Sequence, residues 1–67
     1  MQNKIKYYRF ISGELTQQEL AQKVGVTRQT ILAIEKGEYN PSVKLALKIS
    51  AVFQVKVEEI FLLEITD

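Results

Sequence analysis

The 67-residue sequence contains no cysteine and no histidine. Without cysteine no disulfide can staple a small core, and without either residue the usual structural zinc sites are excluded. The same absences remove the commonest general base and the thiol nucleophile, leaving paired carboxylates or an activated lysine as the means of catalysis. Glu58 and Glu59 are adjacent and so point to different faces of a helix; no catalytic site is expected. Long hydrophobic runs are missing too, which excludes a helical membrane span. Met1-Gln2-Asn3-Lys4 leads into mixed charged sequence without the apolar stretch of a signal peptide. The expectation is a cytoplasmic protein with no metal, no cofactor, no small-molecule ligand and no membrane partner.

A chain of this length is expected to form a single domain spanning 1–67, and a domain of about 60 residues buries only about 60% of the surface that its unfolded chain exposes. Its core is marginal, so oligomerisation is the expected supplement. The net charge of +1 conceals a polarity along the chain. Up to Lys48 eight basic residues face four acidic ones, a net +4, whereas from Ile49 onward Lys56 stands against Glu58, Glu59, Glu64 and Asp67, a net −3. A basic body is therefore followed by an acidic tail.

Hydrophobic periodicity predicts five helices. Ile5, Tyr8 and Ile11 recur at spacings of three over residues 4–12, and Ser12-Gly13-Glu14 ends that first helix. Thr16 followed by Glu19 is a capping-box pattern that starts the second, in which Leu20, Ala21 and Val24 form the buried stripe. Gly25 supplies the positive φ of a tight exit. Thr27 caps the third helix, with Ile31 and Ile34 inward and Arg28, Gln29, Leu32 and Lys36 off that stripe. After the turn Glu38-Tyr39-Asn40-Pro41, Ser42 caps a fourth helix apolar on most sides, as at the centre of a bundle. Val57 to Ile60 forms one further turn. From Phe61 the pattern changes to period two, with Phe61, Leu63 and Ile65 alternating with Leu62, Glu64 and Thr66. This strand-like tail, residues 61–66, needs a partner: either the segment near Gln2-Asn3 or the same strand of a second chain.

Two short helices joined by a glycine-containing turn, residues 16–35, have the form of a helix-turn-helix. The run from Leu15 to Ile31, with Ile34-Glu35-Lys36-Gly37 and Asn40-Pro41-Ser42, resembles the Cro and phage-repressor (Xre) helix-turn-helix family, in particular its very small bacterial and archaeal members, over roughly residues 4–61. The resemblance implies an all-α, five-helix lambda-repressor-like domain that binds double-stranded DNA as a transcriptional regulator, usually a dimeric repressor.

Carried over residue by residue, the resemblance implies a phosphate contact from Gln17, with Gln18 beside it. Arg28 and Gln29 match the positions that meet base edges, where arginine can be bidentate to guanine and glutamine to adenine. Thr27 and Thr30 would add phosphate or thymine-methyl contacts, although capping is the main duty of Thr27. Ala33 offers only a methyl group where relatives often carry a polar reader. Lys36, Tyr39, Asn40 and Lys44 match positions laid along the DNA backbone. Among these, Gln17, Arg28 and Gln29 have no evident folding role.

Relatives often join the first helix to the end of the third by an internal salt bridge, here Arg9 with Glu35. The turn between Arg9 and Thr16 is one residue longer than in most relatives, so the resemblance alone does not fix where the arginine lies. Lys56 stands where many relatives cap the last helix with a small hydroxyl residue. A homodimer is expected, with Ile60, Phe61, Leu62, Leu63 and Ile65 at its interface and two recognition helices about 34 Å apart on a pseudo-palindromic operator. The alternative is an interaction module, such as an antitoxin-like partner, that retains the fold without DNA binding.

Overall fold

In the computed structural model, which describes residues 2–63, the elements run β1 (Gln2–Asn3), α1 (Ile5–Ile11), α2 (Gln17–Val24), α3 (Arg28–Glu35), α4 (Val43–Phe53), α5 (Val57–Ile60) and β2 (Phe61–Leu62). Helix α2 packs against both α3 and α4, and α5 leans on α4. Ile5, Leu20, Ile31, Ile34, Ile49 and Ile60 are fully enclosed. Each such side chain contributes about 1.5–3 kcal/mol relative to leaving it in water, which is what lets helices of seven or eight residues hold their form.

The caps follow the sequence. Thr16 Oγ1 accepts from the Glu19 amide at 3.0 Å while the Thr16 amide donates to Glu19 Oε1 at 2.9 Å. Bonds to Thr16, above all from its backbone amide, hold the Glu19 carboxyl below its ordinary value of 4.5. Gly25 leaves α2 in the left-handed region, φ 76°, and lets the Val26 amide close on the Ala21 carbonyl at 3.0 Å. Thr27 and Ser42 accept from the amides of Thr30 and Leu45. Lys56 makes no side-chain cap. Instead Glu59 reaches back to accept from the Lys56 amide at 2.8 Å, so α5 starts with half a capping box where a hydroxyl residue would complete it.

Two expectations about helix faces need correction, and the open choice of partner for the tail is decided. Ile11, expected on the inward stripe of α1, is 54% exposed. A spacing of three falls 60° short of a full rotation at each step, so by Ile11 the stripe has turned 120° from Ile5. The inward face is instead Ile5 with Tyr8 and Arg9, three and four residues on. Tyr8 packs against Phe53 of α4, ring centroids 5.8 Å apart.

Helix α4 is not enclosed on most sides. Ala46, Ile49 and Ser50 are buried, with Leu45, Val52 and Phe53 beside them, but Val43 is 76% and Leu47 56% exposed. Its apolar residues exceed what one packed face can hold, so Val43 and Leu47 are left toward solvent. The buried Ser50 hydroxyl is satisfied within the helix, donating to the Ala46 carbonyl at 2.8 Å.

The tail finds its partner inside the chain. Strand β2 pairs antiparallel with β1, Gln2 opposite Leu62 and Asn3 opposite Phe61, and the Lys4 amide donates to the Ile60 carbonyl at 2.8 Å. Among the residues assigned to a dimer interface, Ile60 and Phe61 are buried in this chain's own core, Leu62 is half-buried and Leu63 is exposed. Ile65 lies outside the described residues. The period-two pattern yields two described strand residues, since Phe61 turns inward to fill the core beside Ile60.

Candidate nucleic-acid interface

Helix α3 is held by Ile31 and Ile34, both buried. Helical geometry then turns Gln29, Ala33 and Lys36 away from the core, sets Arg28 and Leu32 toward one flank and puts Thr30 on the other. Arg28, Gln29 and Lys36 are exposed, and Leu32 and Ala33 half-buried. At its end α3 is closed by paired bonds, Glu38 amide to Ala33 carbonyl and Gly37 amide to Ile34 carbonyl, each 3.0 Å, the Schellman arrangement.

The Arg9–Glu35 pair is formed despite the longer turn. Gly13 and Glu14 both take positive φ, 82° and 59°, and the Leu15 amide returns to the Arg9 carbonyl at 2.9 Å. The additional residue is absorbed in that left-handed corner. Arg9 therefore reaches Glu35 through Nε at 2.7 Å and Nη2 at 3.0 Å, while Nη1 donates to the Leu15 carbonyl at 2.9 Å. The two side chains are only 15% and 10% exposed.

Gln17, which the sequence leaves without a folding role, has one. Its amide nitrogen donates to Glu35 Oε1 at 3.2 Å, so it joins the start of α2 to the end of α3. Thr30 is half-buried, its hydroxyl 3.1 Å from that of Thr27; both threonines are engaged at the cap. Arg28 and Gln29 have no side-chain bond among the described residues.

A shallow hollow lies on each flank of α3. On one side Arg28, Gln17 and Gln18 line a hollow with Lys6, Arg9 and Glu14. On the other, Thr30, Tyr39 and Lys44 gather with Ser42, Lys48 and the turn at Gly25, and no carboxylate among the described residues lines that hollow. Asn40 is exposed just before Pro41. Lys6 and Lys48 join these flanks from outside the helix-turn-helix. For Lys48 the sequence signal is its spacing of four from Lys44; for Lys6, on α1, the sequence offers none.

One side chain that sequence reasoning passed over supports the whole arrangement. Asn3 donates through Nδ2 to the Ile34 carbonyl at 2.8 Å and accepts from the Ile5 amide at 3.3 Å. It bonds β1 to the last turn of α3 and caps the start of α1 together.

Two short helices set by a glycine turn, the second presenting an arginine and a glutamine that no described residue bonds, define a helix-turn-helix. The comparisons agree: the chain matches the helix-turn-helix family over residues 5–60 and belongs to that family. It is 61% identical to an HTH-type transcriptional regulator of Methanocaldococcus jannaschii, over 96% of each chain. It is 52% identical to one of Archaeoglobus fulgidus, over 96% of this chain and 89% of the relative. The regulator YgzD of Bacillus subtilis is 53% identical over 96% of each chain. The family is a DNA-binding, non-enzymatic class of transcriptional regulators, and no helix among the described residues is long and apolar enough to cross a membrane.

Proposed function

We propose that the protein is a sequence-specific repressor that reads a pseudo-palindromic operator as a homodimer, with α3 in the major groove. The observation that carries this reading is the pair Arg28 and Gln29, exposed at the N-terminal end of a helix whose other side is locked into the core. Arg28 reads a guanine and Gln29 an adenine, each pair supplying about 1–3 kcal/mol of discrimination. Thr27 and Thr30 add contacts to phosphate or thymine methyl groups and Ala33 offers only its methyl, while Gln17, Gln18, Lys36, Tyr39, Asn40 and Lys44 hold the backbone. Repression follows from occupancy of the promoter.

The dimer is supported by the small size of the core and by Leu63, 81% exposed beside β2. Because Ile60 and Phe61 are engaged internally, Leu62, Leu63 and Ile65 carry the contact. Selection of bound duplexes from a random pool tests the reading: two inverted half-sites about one helical turn, 34 Å, apart are expected, and recovery of unrelated sequences would overturn it. Transcription in vitro from a promoter carrying the selected site then distinguishes repression from activation.

A second reading, a protein-interaction module, draws on Tyr7, Phe10 and Ile11, which are 56%, 66% and 54% exposed and lie together at helical spacing on α1. Salt-independent association with duplex DNA, or none, would favour it.

A further inference from the structure

Lys6 is exposed on α1, outside the helix-turn-helix, yet it lines hollows that reach both ends of α3. In one it stands with Gln17, Gln18 and Arg28 at the helix start. In the other it stands with Leu32 and Lys36 toward the helix end, over a floor of Arg9, Glu35 and Gln17. That floor is electrically spent. Both Glu35 oxygens are taken by Arg9, one of them also by Gln17, so within the second hollow no carboxylate is left to offset Lys6 and Lys36; Glu14 stands with Lys6 in the first hollow only.

We infer that Lys6 and Lys36 form a phosphate clamp, in which α1 grips the DNA strand that runs past the flank of α3. This inference rests on the DNA-binding reading given above. Helix α3, at eight residues, is about 12 Å long, close to the width of the major groove, so a helix seated there has a sugar-phosphate strand along its flank. Lys6 lies on the flank that carries Arg28, where that strand would run. A lysine suits the task because it binds phosphate as a mobile point charge without needing the planar geometry of a base edge. The neutral floor has a separate effect: Arg9 is held too firmly by Glu35 and Leu15 to turn outward, which leaves the clamp to the two lysines.

The clamp predicts a contact that adds affinity without sequence information. Binding of the wild-type protein, Lys6→Ala and Lys6→Arg is measured by fluorescence anisotropy on a selected duplex and on a scrambled one, between 50 and 200 mM salt. Lys6→Ala should weaken binding to both duplexes by a similar factor and lower the salt slope by about 0.9, so that its affinity falls about 3.5-fold less than that of the wild type over this range. Lys6→Arg should restore the slope. Lys6→Ala indistinguishable from the wild type, while Lys36→Ala shifts the slope, would overturn the clamp and leave the DNA-binding reading intact. A wild-type protein whose binding to both duplexes is absent or indifferent to salt would overturn both. Because Lys6 is exposed and outside the core, far-ultraviolet circular dichroism should be unchanged in both variants.

Discussion

Arg9 and Glu35, 26 residues apart in sequence, meet in a two-pronged ion pair of 2.7 and 3.0 Å that fastens α1 to the C-terminal end of α3. Gln17 adds a third strut from α2 at 3.2 Å. Three helices thus converge on one carboxylate, which fixes the pitch of the helix that carries Arg28.

Removing one member of that pair should cost more than the pair is worth. Arg9→Ala leaves Glu35 poorly solvated, with Gln17 as its remaining side-chain hydrogen-bond partner among the described residues, and the expected loss is about 3 kcal/mol, the lower end of the range for buried pairs because some water reaches the site. Arg9→Met combined with Glu35→Leu should recover most of it. Urea unfolding of the single and double variants checks both statements.

Arg28→Ala and Lys36→Ala should differ in kind. The first should relax preference at one base pair of each half-site by about 1–3 kcal/mol, whereas the second should weaken all sequences alike and shallow the salt slope by about one. Competition binding against single-base variants of the selected duplex separates the two. Equal losses on every duplex from Arg28→Ala would remove that residue from base reading.

Gln54 ends α4 in the left-handed region, φ 56°, without being glycine. A side chain there costs about 1–2 kcal/mol, so Gln54→Gly should stabilise the protein, offset partly by the greater entropy of the unfolded glycine chain. A net gain of about 0.5–1 kcal/mol is expected, which at about 4–8 °C per kcal/mol for a domain of this size is a rise of several degrees in Tm.

The cap of α2 should loosen in acid. The Thr16 amide holds the Glu19 carboxyl below its ordinary value of 4.5, so its contribution is complete above that value and disappears as pH falls through the lower folded value. Glu19→Gln, which retains an acceptor but no charge, should remove this pH dependence. Stability measured across the acid range, together with the Thr16 amide shift by NMR, tests the linkage.

Local chemistry was the most legible part of the sequence. Thr16, Gly25, Thr27 and Ser42 announce helix ends because each acts on amides within a few residues. Resemblance supplied the Arg9–Glu35 pair, but only the geometry of Gly13 and Glu14 reveals how the longer turn leaves Arg9 in place. What escaped was much of what distant parts of the chain set. Nothing near Asn3 in sequence points to the Ile34 carbonyl, nothing near Gln17 points to Glu35, and nothing near Phe61 chooses β1 over a second chain as its partner. Periodicity also misled where it was counted rather than projected: Ile11 and Leu47 are apolar residues at plausible spacings that face water.

Asn3 has a practical meaning for anyone handling the protein. Its side chain bonds the Ile34 carbonyl at the foot of α3, and its backbone lies in the strand that receives Phe61, so the two ends of the domain and the reading helix share one anchorage. A purification tag or fluorescent fusion placed directly ahead of β1 is therefore not an inert handle: it would tug on the peptide that aims the helix. A flexible spacer, or labelling at the exposed Gln22 on α2, would leave that aim undisturbed.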